Sequence, residues 1–154
     1  TGVNIKAETY KELAKHRNIV ATKEASGDLS LIAEIKYRCG DDLDVYSGND
    51  DQTVPIMSLG GIGIISVLSN IAPKLMHDIC ELYLKGDIDN ARELHIKHIG
   101  LMNAMFCDVN PIPVKEAMNM LGMKVGPCRM PLYPTSEANK TLLKQKLVEC
   151  GFKL

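Results

Sequence analysis

Between residues 7 and 67 the chain alternates three times between helical apolar spacing and a short run rich in β-branched residues, an order that strongly constrains its fold. The spacing predicts a helix over 7–16, a strand over 18–25, a helix over 29–38 with Leu29, Ile32, Ala33 and Ile35 on one face, and a strand over 43–48. A third helix over 50–59, stopped by Gly60-Gly61, precedes a third strand over 63–67. Parallel neighbours need a crossover and a helix supplies it, so the pattern predicts an α/β fold with a parallel sheet. After Ala72 the pattern turns all helical, over 73–85, 88–106, 111–121 and 135–150. Pro73 and Pro111 sit where a first helical turn tolerates a missing N–H, Thr135 or Ser136 can cap the last helix, and 126–134, with three prolines, predicts an extended crossing.

A chain of 154 residues predicts one domain, divided here into a βα part, 1–72, and a helical part, 73–154. It has no uncharged apolar run long enough to cross a bilayer, and 18 Lys and Arg against 19 Asp and Glu leave no electrostatic footprint for nucleic acid. Its five cysteines, Cys39, Cys80, Cys107, Cys128 and Cys150, are scattered and odd in number, as expected of reduced thiols in a cytoplasmic protein. The first residue is Thr1, with neither a basic flank nor an apolar signal core behind it, so the chain is expected to derive from something longer.

The candidate for chemistry is Lys23. Alternation puts Ile19, Ala21 and Lys23 on one face of the first strand and Val20, Thr22 and Glu24 on the other, so the lysine is aligned with apolar neighbours near the strand's carboxyl end. In α/β barrels that end forms the mouth of the pocket. A free lysine amine, with a pKa near about 10.4, is an unprotonated nucleophile in only about one molecule in a few thousand at neutral pH. Burial that lowered it to roughly 7 to 8 would make imine formation with a carbonyl practical. The plainer reading is a lysine that reaches solvent or pairs with Glu24 or Asp28.

The runs Lys23-Glu24-Ala25-Ser26-Gly27-Asp28, Tyr46-Ser47-Gly48-Asn49-Asp50, Gly63-Ile64-Ile65-Ser66-Val67 and Asn110-Pro111-Ile112-Pro113-Val114-Lys115 resemble, in that order, the dihydrodipicolinate synthase family. The last block points to that family rather than to its relatives, N-acetylneuraminate lyase and the keto-deoxy-sugar-acid aldolases. The resemblance implies the second half of a TIM (β/α)8 barrel, strands six to eight, with a C-terminal helical appendage. It implies a class I aldolase-type lyase of lysine (diaminopimelate) biosynthesis, in which Lys23 forms a Schiff base with pyruvate and the enamine adds to aspartate semialdehyde. Gly48 and Ile65 match substrate-binding wall positions, and Leu29, Ser30 and Leu59 match positions near the weaker contact of a homotetramer. No cofactor is implied.

The tyrosine of the family's proton relay, its hydroxyl partner, the threonine region for the pyruvate carboxylate and the arginine for aspartate semialdehyde all lie upstream in the resemblance. Three strands of about eight leave two open sheet edges, so the isolated chain is expected to be unstable and inactive. Another pyruvate aldolase of the family, or a non-catalytic half-barrel, remain the alternatives. Gly60-Gly61-Ile62-Gly63 follows a helix and enters a strand, the reverse of a phosphate-cradling loop. His95 and His98 share a helix face but lack a third partner, so they are expected to be surface or interhelical residues and no metal is expected. Met102, Met105, Met118, Met120 and Met123 are expected to pack between helices.

Overall fold

The structure, a computed structural model, describes residues 2–154. Three short strands, β1 (Ala21–Glu24), β2 (Asp44–Ser47) and β3 (Gly63–Ile64), pair in parallel in the order β1-β2-β3. Lys23 stands in register with Tyr46, and Tyr46 with Gly63. Each strand follows a helix: α1 (Ala7–Ala14), α2 (Leu29–Cys39) and α3 (Thr53–Ser58). The expected α/β class and parallel pairing are therefore present.

Local departures from the expected pattern have identifiable causes. The stretch predicted as one helix over 50–59 splits into a 3-10 turn, Asp50–Gln52, followed by α3, because the Asp50 side chain is drawn away to another loop. β3 stops at Ile64 instead of reaching Val67. Ile65 N–H still donates to Ser47 O at 2.9 Å, but the N–H groups of Val67 and Leu68 donate to Asp50 Oδ2 at 3.1 and 2.9 Å and turn the chain out of the sheet. On α2 the buried stripe is Ile32, Ile35 and Cys39, whereas Leu29 and Ala33 of the predicted face are exposed. Residues 60–63 behave as expected: Gly60 has φ +92°, and a Cβ on Gly61 would stand 2.7 Å from Ile56 Cγ2, so only glycine fits this exit from α3.

The second half is helical: α4 (Pro73–Leu84), α5 (Ile88–Ala104), α6 (Ile112–Met120) and α7 (Glu137–Glu149). Of the two proposed caps it is Ser136 that caps α7, accepting from Asn139 N–H, while Thr135 donates its hydroxyl to Asp108. The 126–134 crossing is irregular, tied to α6 by Lys115 Nζ donating to Pro127 O at 2.6 Å. One apolar cluster joins α1, α2, β2 and α3 through Tyr10, Ile32, Ile35, Val45 and Ile56. A larger one joins α4 to α7 through Ile79, Leu101, Met102, Met105, Leu143 and Leu147, and reaches back to Val54 of α3. Met118 and Met120 pack against its edge, but Met123 is exposed and takes no part in the expected packing.

Candidate functional site

The two faces of β1 are unequal, as the alternation predicts. Glu24 is buried against the helices, whereas Ala21 and Lys23 are exposed. The expectation of a sheltered Lys23 is corrected: it is exposed, as is Ala21, whereas on the same face of the sheet Tyr46 is half-buried and Gly63 buried. Nor does Lys23 pair with either candidate carboxylate. Glu24 points to the opposite face, where its Oε2 accepts the Tyr10 hydroxyl at 2.6 Å and its Oε1 accepts Ser26 N–H at 2.8 Å. Asp28 instead caps α2, its Oδ1 accepting the N–H groups of Ser30 and Leu31 at 2.8 and 3.2 Å. Among the described residues, Lys23 has no ion-pair partner.

Lys23 opens into a cleft of about 300 Å³ shared with Tyr10, Glu24, Ser26 and the chain start at Gly2 and Val3. The Tyr10 hydroxyl is pushed up to about 12, first by burial and then by its bond to Glu24, so it stays a donor across the neutral range. At the end of the next strand, Gly48 N–H donates to Glu24 O at 2.7 Å. A Cβ on Gly48 would stand 3.0 Å from Lys23 Cε, so the missing side chain is what lets the lysine stem pass. Ile65 is half exposed beyond β3, and its N–H is taken by Ser47 O. Gly48 and Ile65 thus have carbonyl groups and shape, not N–H donors, to offer a ligand. The ring of Tyr46, within 3.5 Å of the corresponding position on Gly63, lies across the sheet beside Lys23. The sequence reading missed both Tyr46 and the Tyr10–Glu24 pair; residue spacing carries no signal for a contact 14 residues apart.

Other chemistry is poorly served. Of the two expected placements, His95 takes the buried one, and its Nε2–H donates to Asp51 O at 3.0 Å; His98 is half-buried and bonds Leu94 O within its own helix. The two therefore have separate structural partners. Burial lowers the His95 pKa and raises that of Asp50, whose other oxygen is unpartnered. The group with metal-type donors among the described residues is His77, Asp78 and Glu81 on α4, where Lys74 and Lys85 already pair with the two carboxylates. Burial pushes the thiols of Cys39, Cys80, Cys107 and Cys150 up, away from thiolate chemistry.

Parallel βα units with an unpaired lysine at the carboxyl end of a strand define a protein of the α/β class with its reactive candidate at the sheet rim. Residues 1–150 match the Dihydrodipicolinate synthetase family, and the chain belongs to it. It is 55% identical over 151 residues to the 4-hydroxy-tetrahydrodipicolinate synthase of Caldicellulosiruptor bescii, a match covering 98% of this chain and 51% of that protein. The crystal structure of dihydrodipicolinate synthase from Thermotoga maritima superposes with a TM-score of 0.94 at 42% identity, over 98% of this chain and 52% of that one. The chloride-inhibited enzyme from Acinetobacter baumannii, complexed with pyruvate, superposes with a TM-score of 0.93 at 37% identity, over 98% and 52% of the two chains. The chain spans about half the length of the relatives it matches.

Proposed function

We propose that these residues supply the carboxyl half of a (β/α)8 barrel, strands six to eight and the helical appendage, in a lyase that makes 4-hydroxy-tetrahydrodipicolinate on the diaminopimelate route to lysine. The observation that carries the reading is Lys23 at the carboxyl end of β1, without an ion-pair partner, its stem passing the bare Cα of Gly48. The Lys23 amine adds to the ketone carbon of pyruvate and the ketone oxygen leaves as water, giving an imine. Loss of a methyl proton gives the enamine, whose carbon forms a bond to the aldehyde carbon of L-aspartate 4-semialdehyde. The amino group of that substrate then displaces Lys23 as the ring closes, freeing the lysine for another turnover.

The exposure of Lys23 and Ala21 at the edge strand supports this reading, because five further strands closing the barrel would cover them and exclude water. Gly48 and Ile65 form pocket walls for pyruvate, and the proton relay and carboxylate-binding groups come from the other half. The working assembly is a cytoplasmic homotetramer.

The test uses the chain joined behind the N-terminal half of the Caldicellulosiruptor bescii relative, called here the completed barrel. Incubation with pyruvate and borohydride should leave a reduced pyruvyl adduct on the peptide holding Lys23, and Lys23→Ala should abolish both adduct and turnover. An adduct that persists on another residue in Lys23→Ala removes the proposed role. Turnover of a sugar-derived aldehyde in preference to aspartate semialdehyde would move the chain to another aldolase of the family.

A further inference from the structure

The buried side of β1 holds a contact that the proposed reaction leaves unused. Glu24 is 6% exposed and Tyr10 5%, and among the described residues no cation accompanies the carboxylate; its partners there are a hydroxyl and a backbone N–H. A charge held this way costs stability that an apolar residue of similar size would not. Three tethers meet on the residue: Tyr10 Oη to Oε2 at 2.6 Å, Ser26 N–H to Oε1 at 2.8 Å, and Gly48 N–H to its backbone oxygen at 2.7 Å. They reach it from α1, from the loop after β1 and from the end of β2.

Glu24 is the last residue of a strand only four residues long, and Lys23 is its neighbour. Successive side chains of a strand point to opposite faces, so fixing Glu24 in the helix layer fixes Lys23 toward the other face. A slip of one residue would exchange the two, burying the lysine and exposing the acid. Apolar packing guards poorly against such a slip here, since Ala21 and Lys23 are exposed and Thr22 is half-buried. Tyr10, Glu24 and Ser26 also line the cleft into which Lys23 opens.

Resting on the imine reading above, we infer that Tyr10 and Glu24 are a positioning pair that holds the register of β1 and thereby the direction of the Lys23 amine. Neither touches the reacting atoms. The pair acts by geometry, not by charge: a hydrogen bond between the Glu24 side chain and the Tyr10 hydroxyl joins α1 to the strand end.

The experiment measures, in the completed barrel, the rate at which borohydride traps pyruvate on Lys23, counted per folded chain so that lost stability alone does not register. Tyr10→Phe keeps the ring and removes the tether, and should slow trapping about tenfold. Glu24→Gln keeps both contacts, its carbonyl accepting Ser26 N–H and its amide donating to the Tyr10 oxygen, and should restore most of the rate without the charge. Should Tyr10→Phe not fold, Tyr10→Phe with Glu24→Gln leaves no unpaired charge buried and should show the same slowing. A Phe variant that melts lower yet traps at the unaltered rate overturns the inference, as does a Gln variant that falls as far as the Phe one. A barrel that traps nothing on Lys23 even without substitution brings down the imine reading first, and this one with it.

Discussion

A methyl group on Gly48 would stand 2.6 Å from the Ala25 Cβ and 3.0 Å from Lys23 Cε, so the end of β2 has no room for a side chain where the lysine stem passes. The restriction is one of space, since Gly48 is not among the residues with positive φ. Ala25 and the Glu24 carbonyl, at 3.1 Å, belong to the strand end itself and cannot yield as a flexible tip could.

Gly48→Ala should therefore displace Lys23 and the end of β1 together. Overpacking of this kind costs about 1–3 kcal/mol, and pyruvate trapping on Lys23 in the completed barrel should fall at least about tenfold. Denaturant unfolding and mass spectrometry of the trapped peptide measure the two effects; an Ala variant trapping at the original rate would refute the close approach.

Asp28 anchors the other end of the Lys23 run. Because its carboxylate accepts two N–H groups at the start of α2, Asp28→Ala should cost about 0.5–2 kcal/mol, and Asp28→Asn much less. If Asp28 were instead an ion partner of Lys23, the Asn variant would lose as much as Ala, and comparing the two midpoints decides between them.

His95 gives the protein a pH dependence with a definite sign. Burial lowers its folded pKa below the usual value near 6.5, so on acidification the unfolded chain takes up the proton first. The stability that neutral His95 contributes is complete above about pH 6.5 and is lost as the pH falls through the lower folded value, with a slope of at most about 1.4 kcal/mol per pH unit. Melting temperatures of the completed barrel between about pH 5 and 8 should fall toward acid, and His95→Gln should flatten the curve. A steeper acid loss in the Gln variant would contradict this.

Leu143 of α7 is fully buried in the cluster that joins α4 to α7. Leu143→Ala should cost about 2–5 kcal/mol, whereas Val148→Ala, on the exposed side of the same helix, should change stability by less than about 0.5 kcal/mol. Equal losses at the two positions would place the core elsewhere.

The sequence alone was enough for the alternation of helices and strands, their parallel pairing and the glycine exit from α3. Each is written in local terms: periodicity or a stop residue. That locality also explains the errors. Residues 50–59 carry helical spacing, yet Asp50 bonds the backbone of Val67 and Leu68, 17 and 18 residues away, and the helix begins only at Thr53. His95 reads as either a surface or an interhelical residue, and it is buried because the carbonyl of Asp51, 44 residues distant, is there to accept its N–H.

What only the tertiary structure decided is which face of each element has something to pack against. Alternation assigned Lys23 and Glu24 to opposite faces but could not say which face is covered, and of the apolar neighbours it aligned with the lysine, Ala21 is exposed while Ile19 packs against the core. The reason is physical: spacing along a chain fixes directions relative to that chain, whereas burial and partnership depend on what other segments bring to the same place. Tyr10 arrives beside Glu24 only because α1 lies across the strand, and whether Lys23 is sheltered depends on the strands that close the sheet around it.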